Sequence, residues 1–177
     1  SVTSLTGHLI ILPVVLPLAT GALTLLIDER RYLLKGAISF AALAALLAAA
    51  IALTAAADMG TAQVYRLGDW PAPFGIVLVA DRLSAAMVLL ASVLGFAALT
   101  FSLARWHRPG PRFHALLHFL LMGLNGAFLT GDLFNLFVFF ELLLAASYGL
   151  ALHASGQARV RASLHYIVVN LAASLLF

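Results

Sequence analysis

The stretch GDLFNLFVFFELLLAASYGLAL, residues 131–152, decides the fold of this chain. Nearly all of it is apolar, and about 20 such residues in a helix cross a hydrocarbon core of roughly 30 Å. One carboxylate, Glu141, lies nine residues after Asp132 and ten before Ala151. At a rise of ~1.5 Å per residue it is roughly 14 Å from either end of the helix. The stretch therefore predicts a membrane-spanning helix with an acidic group at its centre.

The composition extends this interpretation to the whole chain. Of 177 residues, 63% are hydrophobic and 10% are charged, whereas soluble domains carry roughly 25% charged residues. Long runs without period-2 alternation exclude a β-barrel, because backbone groups in lipid must be paired within the segment. The predicted fold class is all-α, a polytopic transmembrane helical bundle of about six helices, with spans at about 8–27, 36–57, 82–104, 113–130, 132–151 and 163 to the end.

Two regions depart from full-length spans. Residues 163–177 supply only ~22 Å of helix, so we expect an N-terminal fragment of a longer protein whose last helix is truncated. The connection at about 62–80 contains VYRLGDWPAPFGIVLVA, two short β-prone stretches separated by Gly, Asp and Pro. This pattern predicts a short external β-hairpin lying on the membrane face.

The charged residues indicate the orientation. Eight of the ten Lys and Arg residues fall in DERRYLLK, RWHRPGPR and HASGQARVRAS. The positive-inside rule places these loops in the cytoplasm and the N-terminus outside. The basic residues form no separate face, so nucleic acid is not an expected partner. There are no cysteines, no phosphate loop and no dinucleotide fingerprint, and we expect neither a cofactor nor a metal.

Glu141 is the main candidate for chemistry. A charge at that depth costs at least ~2.5 to 3.5 kcal/mol on insertion scales, so the side chain should face protein or trapped water. Phe134, Phe137 and Val138 share its helical face and are expected to bury it. A neighbouring cation that moved by a few Å would switch Glu141 between binding and releasing a proton. The alternative is a neutral glutamate that only packs against another helix.

Other polar residues lie within the apolar runs. His114, His118 and Asn125 share one stripe at helical spacing, which fits either the lining of a proton relay or hydrogen bonds between helices. No third ligand accompanies the two histidines, so a metal site is not expected. His165 could take up protons near neutral pH, and Tyr148 is a further candidate. Polar packing explains the stripe Ser163, Tyr166, Asn170 and Ser174 as well as function does.

Three blocks in order carry a family resemblance: GDWPAPFGIVLVADRLSA at 68–85, LLMGLNGAFLTGDLFNLFVFFELLLAASYGL at 120–150, and LHYIVVNLAASLLF at 164–177. They resemble the D subunit of the Mrp-type multisubunit Na+/H+ antiporter, which is related to the antiporter-like subunits of respiratory complex I. The resemblance implies a fold with inverted helical repeats. It also implies that Glu141 handles protons and pairs with a lysine on a helix beyond Phe177. Relatives commonly have a lysine near position 165, so His165 would replace it.

The resemblance implies a function as well. Residues 1–112 would form three N-terminal helices with the hairpin, and residues 113–177 the first part of a proton-conducting repeat. The protein would be a subunit of a Na+/proton antiporter in the bacterial inner membrane, with protons, Na+, the lipid bilayer and other antiporter subunits as partners. The alternatives are a proton-pumping subunit of a NADH-quinone oxidoreductase or membrane-bound hydrogenase, and a scaffold in which Glu141 only packs.

Overall fold

A computed structural model describes residues 7–60, 63–66, 75–105, 112–152 and 157–176. Within these ranges the named elements are six helices and two strands, in the order α1 (Leu12–Leu26), α2 (Tyr32–Asp58), β1 (Gln63–Arg66), β2 (Val77–Ala80), α3 (Arg82–Arg105), α4 (Phe113–Leu129), α5 (Leu133–Ala151) and α6 (Gln157–Leu176). The predicted all-α bundle with a small hairpin is confirmed.

Helix α4 lies at the centre of the bundle. It packs against α1, α3 and α5, while α2 packs against α3 and α1, and α6 contacts α5. One buried cluster includes Leu53 of α2, Val88 of α3 and Met122 of α4. A second joins Leu43, Leu99 and other leucines of the same three helices. The two clusters fix α4 to its neighbours on several sides at once.

The two strands pair antiparallel, in a register that runs from Gln63 opposite Ala80 to Arg66 opposite Val77. The connection at 67–74 lies outside the described residues. The Gly131 N–H donates to the carbonyl of Val77 over 2.8 Å, and Leu78 forms a bridge with Thr130. A side chain at Gly131 would meet the Val77 carbonyl oxygen at 3.2 Å. The hairpin therefore covers the turn between α4 and α5.

Three helices are long and apolar enough to cross a membrane by length and composition: Tyr32–Asp58, Arg82–Ala104 and Leu133–Ala151. The remaining apolar helices of the described ranges are shorter, at Leu12–Leu26, Phe113–Leu129 and Val160–Leu176. The shorter helix α4 is also the one most enclosed by others. Together the helices form an integral membrane bundle.

Three helix starts differ from the sequence prediction. Helix α1 begins at Leu12 rather than near 8, after a turn at 9–11, because Pro13 favours the first turn of a helix. Helix α2 begins at Tyr32 rather than near 36, and α6 begins at Gln157 rather than 163. Both early segments carry Lys or Arg among good helix formers, and such residues extend a helix past the edge of its apolar run. The prediction followed the apolar run and therefore started both helices too late. As a consequence Lys35, counted above as a loop charge, lies inside α2.

Candidate functional site

Glu141 lies in the middle of α5, and its position follows from how that helix begins. Asp132 is the N-cap, and its carboxylate accepts a hydrogen bond from the Asn135 N–H over 2.7 Å. Such caps fix the first turn of a helix. Counting from Leu133, Glu141 is then roughly 12 Å along the axis. Its carboxylate accepts a hydrogen bond from the Ser174 hydroxyl of α6.

The surroundings of Glu141 differ from the sequence expectation. Its side chain is half-buried. Phe134, Phe137 and Val138, expected to bury it, are 63%, 38% and 38% exposed on the described chain. Phe134 and Val138 stay uncovered because α6 packs on only one side of α5, whereas Phe137 lines a cavity between the two helices. The polar contact that the described residues give Glu141 is the Ser174 hydroxyl of α6.

Below Glu141 the contact between α5 and α6 is polar. The Ser147 and Tyr166 hydroxyls lie 2.9 Å apart, and the Ser163 hydroxyl donates to the Ala151 carbonyl over 3.2 Å. The rings of Tyr148 and Tyr166 meet edge to face with centroids 5.6 Å apart. The Tyr148 hydroxyl is buried and has no hydrogen-bond partner among the described residues. Hydroxyl groups thus run from the level of Glu141 to the C-terminal end of α5.

A cavity of about 220 Å³ opens beside this contact. Its walls are mainly apolar, and two polar side chains, Asn170 and Ser174, line one side. Because Ser174 also binds Glu141, the cavity lies next to the carboxylate. The sequence stripe on α6 is therefore part of the site, through Tyr166, Asn170 and Ser174.

The two histidines of α4 face the opposite direction. His118 is fully buried, and its Nε2 lies 2.7 Å from the hydroxyl of Ser39 on α2. His114, one turn earlier, is also buried. The face of α4 that meets α5 is formed instead by glycines: a Cβ on Gly123 would come within 2.7 Å of the Leu143 backbone nitrogen. The described contacts do not join His114 or His118 to Glu141.

Asn125 makes a hydrogen bond between helices, which is one of the two interpretations that its sequence position left open. Pro17 lies inside α1 and lacks the N–H that would pair with the Pro13 carbonyl four residues earlier. The Asn125 side-chain amide donates to that carbonyl over 2.9 Å. An unpaired carbonyl in lipid costs several kcal/mol. The Pro13 carbonyl, which Pro17 leaves without its helical partner, therefore explains why an asparagine is buried on α4.

His165 lies exposed on α6, next to Tyr166. The described contacts bring neither its ring nor that of His118 to Glu141. Of the predicted candidates, Glu141 and Tyr148 share the α5–α6 contact, whereas His114, His118 and Asn125 face α1 and α2. Sequence spacing identified each stripe but not the direction in which it faces.

A further buried charge was not recognised from the sequence. Lys35, on α2, is 4% exposed, and its Nζ lies 2.7 Å from Glu29 Oε1. A signal was present, because Lys35 and Ser39 are four residues apart and share a helix face. The apolar run used to predict α2 began after Lys35, so this pattern was overlooked.

The described helices define the class of protein, an integral membrane helical bundle with polar groups between its helices. Known proteins make the comparison more specific. No protein-family model matches the chain. The chain is 59% identical over 175 residues, or 96% of its length, to the D subunit of a probable K(+)/H(+) antiporter of Rhizobium meliloti. It is 43% identical over 97% of its length to the D subunit of the Na(+)/H(+) antiporter of Alkalihalophilus pseudofirmus.

Two further similarities extend the comparison. The N subunit of the NADH-quinone oxidoreductase of Desulforudis audaxviator is 36% identical over 96% of this chain. A chain of the solved Mrp complex from Dietzia sp. DQ12-45-1b superposes with a TM-score of 0.87 over 97% of this chain, at 34% identity. The resemblance to the D subunit of Mrp-type antiporters is confirmed. The chain covers 32–35% of each of the three named relatives and 33% of the Mrp chain.

Proposed function

We propose that this chain is part of the D subunit of a multisubunit monovalent cation/proton antiporter in a bacterial inner membrane. The observation that carries the proposal is Glu141, a carboxylate held in the middle of a membrane helix by a hydroxyl of the next helix. The relatives named as antiporter D subunits support it, since their similarity extends over nearly the whole chain. The protein would act as one component of a transporter and not as an enzyme, and its partners would be the other antiporter subunits.

In this proposal Glu141 binds and releases the proton that is exchanged. The Ser174 hydroxyl stabilises the ionised carboxylate, since hydrogen bonds to charged groups are the stronger ones. The hydroxyls of Ser147, Tyr148 and Tyr166 lie between Glu141 and the end of α5 that the positive-inside rule assigns to the cytoplasm. A proton would reach Glu141 along this side of α5. The lysine implied by the family resemblance would lie on a helix outside this chain.

The predicted roles of His118 and His165 in the same relay stay predictions. Direct transfer from either ring to Glu141 would need groups beyond the described contacts. The proposed division into residues 1–112 and 113–177 and an external N-terminus also stay predictions. Helix α4 of the second part packs on α1 of the first, so the two parts would act as one packed unit.

The exchanged cation is proposed only as a class. We predict Na+ from the resemblance, and the relative from Alkalihalophilus pseudofirmus is named for a Na(+)/H(+) antiporter. The relative from Rhizobium meliloti, which is 59% identical, is named for K(+). K+ is therefore an equal candidate, and both cations belong in any assay.

A second candidate function is that of a proton-pumping component of a redox complex. The relative from Desulforudis audaxviator, part of a NADH-quinone oxidoreductase, favours it at 36% identity over 96% of this chain. In that case Glu141 would move protons in response to electron transfer elsewhere in the complex. The two functions differ in their driving force, which gives a direct test.

The test uses the full-length protein with its complex in everted membrane vesicles of a host that lacks its own antiporters. A proton gradient is set by a pH jump, without any electron donor, and the loss of the gradient is followed after Na+ or K+ is added. We expect the proton gradient to dissipate after addition of at least one of the two cations, Na+ or K+. A gradient that responds to NADH and quinone but to neither cation would favour the redox function and overturn the antiporter proposal.

A further inference from the structure

Lys35 is buried where a lysine would normally reach water. It lies in the first turn of α2, and lysines near the ends of membrane helices usually extend the amine to the interface. The helix dipole is positive at this end and disfavours a cation. Here the Lys35 side chain is 6% exposed, and Glu29, which is 54% exposed, folds back from the preceding loop to bind it. The pair is thus a built feature and not a solvated loop charge.

Two residues on α2 face two residues on α4. Lys35 and Ser39 occupy successive turns of α2, and His114 and His118 occupy successive turns of α4. Ser39 binds His118 over 2.7 Å, and the charges of Lys35 and Glu29 act on His114. The His114 Nδ1 atom is buried without a hydrogen-bond partner among the described residues. We call Glu29, Lys35, Ser39, His114 and His118 the α2–α4 polar site.

This site opens toward one side of the membrane. Glu29 is its exposed member, and the two histidines lie deeper. Beyond His118 the same stripe continues with Met122 and Asn125, and the Asn125 amide is bonded to the Pro13 carbonyl. Neither side chain titrates. Within the described part of the chain the site can therefore take a proton from the Glu29 side but has no titratable group that would pass it onward.

Within the described ranges, few other charges lie around the two histidines. Helix α1 contains no titratable residue, and the described side chains of α3 include only Arg82, at the far end. Glu141 and Tyr148 of α5 have their contacts on the α6 side. The neighbouring loop charges are exposed: Asp28, Arg30, Arg31 and Arg112. Among the described residues, the charges beside the His114 ring are thus those of Lys35 and Glu29.

Helix α4 connects this site mechanically to Glu141. One face of α4 carries the histidines, and another is packed directly on α5 through Gly123 and Gly126. If His114 took up a proton, its positive charge would repel that of Lys35 and push α2 and α4 apart. Because closely packed helices move together, a shift of α4 would also move α5 and the carboxylate it carries.

We propose that the α2–α4 polar site is a second proton-binding site, loaded from the side of the membrane where residues 28–31 lie, and that its protonation state controls exchange at Glu141. The proposal rests on the proposed antiporter function. It assigns the buried histidines to control of the exchange and leaves proton transfer itself to the α5–α6 contact.

The experiment measures cation-dependent proton exchange against pH in vesicles that hold the complete complex. Lys35→Met and the double variant His114→Gln with His118→Gln should move the pH of half-maximal rate by about 0.5 unit or more, because they remove the titrating group or its charged neighbour. Lys35→Arg keeps the charge and should restore the wild-type profile. His8→Gln, at the other end of the bundle, is the matched control and should leave the profile unchanged. Profiles that superimpose on the wild type, or that fall uniformly without a shift, overturn the proposal.

A second measurement does not depend on activity or on disruptive variants. Imidazole nitrogens of the ¹⁵N-histidine-labelled full-length protein are followed by NMR, with His114→Gln used for assignment. At least one of the two α4 rings should change protonation within the pH range over which the exchange rate changes, and Ser39→Ala should shift that transition. Two rings that keep one protonation state throughout this range overturn the proposal.

The outcome separates this proposal from the proposed function. If Glu141→Gln leaves exchange intact while Lys35→Met shifts the pH profile, the α2–α4 polar site still controls exchange, but not through Glu141, and the proposed role of Glu141 fails. If Glu141→Gln abolishes exchange while the Lys35 and histidine variants keep the wild-type profile, the role of Glu141 stands and the proposed α2–α4 polar site fails.

Discussion

The hydrogen bond between Ser174 and Glu141 is the contact at which removal of a single hydroxyl should have the largest effect on proton exchange. A charge near the centre of a membrane costs at least ~2.5 to 3.5 kcal/mol, and a hydrogen bond to a charged group returns about 1.5 to 3 kcal/mol. The two magnitudes are similar. Whether Glu141 can be ionised therefore depends strongly on the hydroxyl that Ser174 donates.

Ser174→Ala removes this donor and keeps the carboxylate. We expect cation-dependent exchange to fall by up to about tenfold, the rate equivalent of ~1.4 kcal/mol. Ser92→Ala is the control, because it removes another hydroxyl whose hydrogen bond goes to the carbonyl of Val88 in its own helix. Equal rates for wild type and Ser174→Ala would show that Glu141 does not depend on α6.

For single residues, the sequence predicted how deep a side chain lies in the membrane better than it predicted which neighbouring helix the side chain faces. The position of Glu141 and the four-residue spacing of His114 and His118 followed from the helical repeat alone. The partner of each group did not, because Ser174 is 33 residues from Glu141 and Ser39 is 79 residues from His118. Which stripe meets which helix depends on how each helix is rotated in the bundle, and a single sequence does not encode that locally.

Among the elements, α4 and α5 make the closest approach. A Cβ on Gly123 would lie 2.7 Å from the Leu143 nitrogen and 2.9 Å from its Cα, atoms that cannot move without shifting the helix. Gly36 of α2 is also buried, but an added Cβ there would meet only the Leu103 Cδ1 atom, at 3.8 Å. Two buried glycines in membrane helices thus serve different purposes.

Gly123→Ala should force the two helices apart and destabilise the protein by about 1 to 3 kcal/mol, the usual cost of overpacking. Gly36→Ala should be neutral or stabilising by up to about 1 kcal/mol, since alanine favours helix and the space is open. Thermal unfolding of the purified complex, followed by size-exclusion chromatography, compares the two. Similar unfolding temperatures for both variants would contradict the packing argument.

Asp81 fixes the start of α3. Its carboxylate accepts hydrogen bonds from the Ser84 N–H over 2.7 Å and the Ser84 hydroxyl over 2.8 Å, and its own N–H donates to that hydroxyl over 2.9 Å. The Ser84 backbone hydrogen bond, with help from the hydroxyl, holds the pKa of Asp81 below its usual 3.8. Stability from the ionised group is therefore complete above that value and is lost as pH falls through the lowered pKa.

Asp81→Ala should cost about 1 kcal/mol near pH 7, as the loss of a helix cap does. Asp81→Asn keeps a capping oxygen and should cost less. The advantage of aspartate over asparagine should shrink as the pH falls below 3.8 and through the lowered pKa of Asp81, which thermal unfolding across pH will measure. A difference that persists unchanged at low pH would show that ionisation is not its source.

Element boundaries were predictable where a cap or an apolar edge marks them. Asp132 and Asp81 precede their helices as expected of acidic residues at a first turn, and α3 and α5 begin within about one residue of the prediction. The starts of α2 and α6 were placed too late, because Lys and Arg there continue the helix. The hairpin was predictable from its Gly and Pro residues, whereas its contact with the α4–α5 turn was not.

At the scale of the whole molecule, we expect the helices to alternate in direction between the positively charged loops and the hairpin side. The loop that contains Arg30 should face the cytoplasm, and Met59, at the end of α2 next to the hairpin, should face outside. Both side chains are exposed. The chain itself has no cysteines, which makes single labelling sites possible.

Arg30→Cys and Met59→Cys, placed in a full-length protein without other cysteines, test this orientation in intact cells. A membrane-impermeant maleimide should label the Met59 variant directly and the Arg30 variant only after permeabilisation. The opposite pattern would reverse the orientation, and would then place the opening of the α2–α4 polar site on the external side.

The fold class and the number of helices could be predicted from composition and run length, because lipid leaves few alternatives to a helix. The central place of α4 could not. It depends on a glycine face toward α5, a histidine face toward α2 and an asparagine that pairs with a carbonyl freed by Pro17. Each contact is between residues distant in the chain, so only the folded structure reveals that one short helix separates two polar sites.

The most direct test of the proposed role of Glu141 is the exchange rate of the complete complex that carries Glu141→Gln. Asp132→Asn is the matched control, because it makes the same change of carboxylate to amide on the same helix and keeps a capping side chain. With equal amounts of assembled complex, Glu141→Gln should lower cation-dependent proton exchange by about a hundredfold or more, the scale of a lost proton-transfer group, while Asp132→Asn stays near wild type. Near-normal exchange by Glu141→Gln would contradict that role.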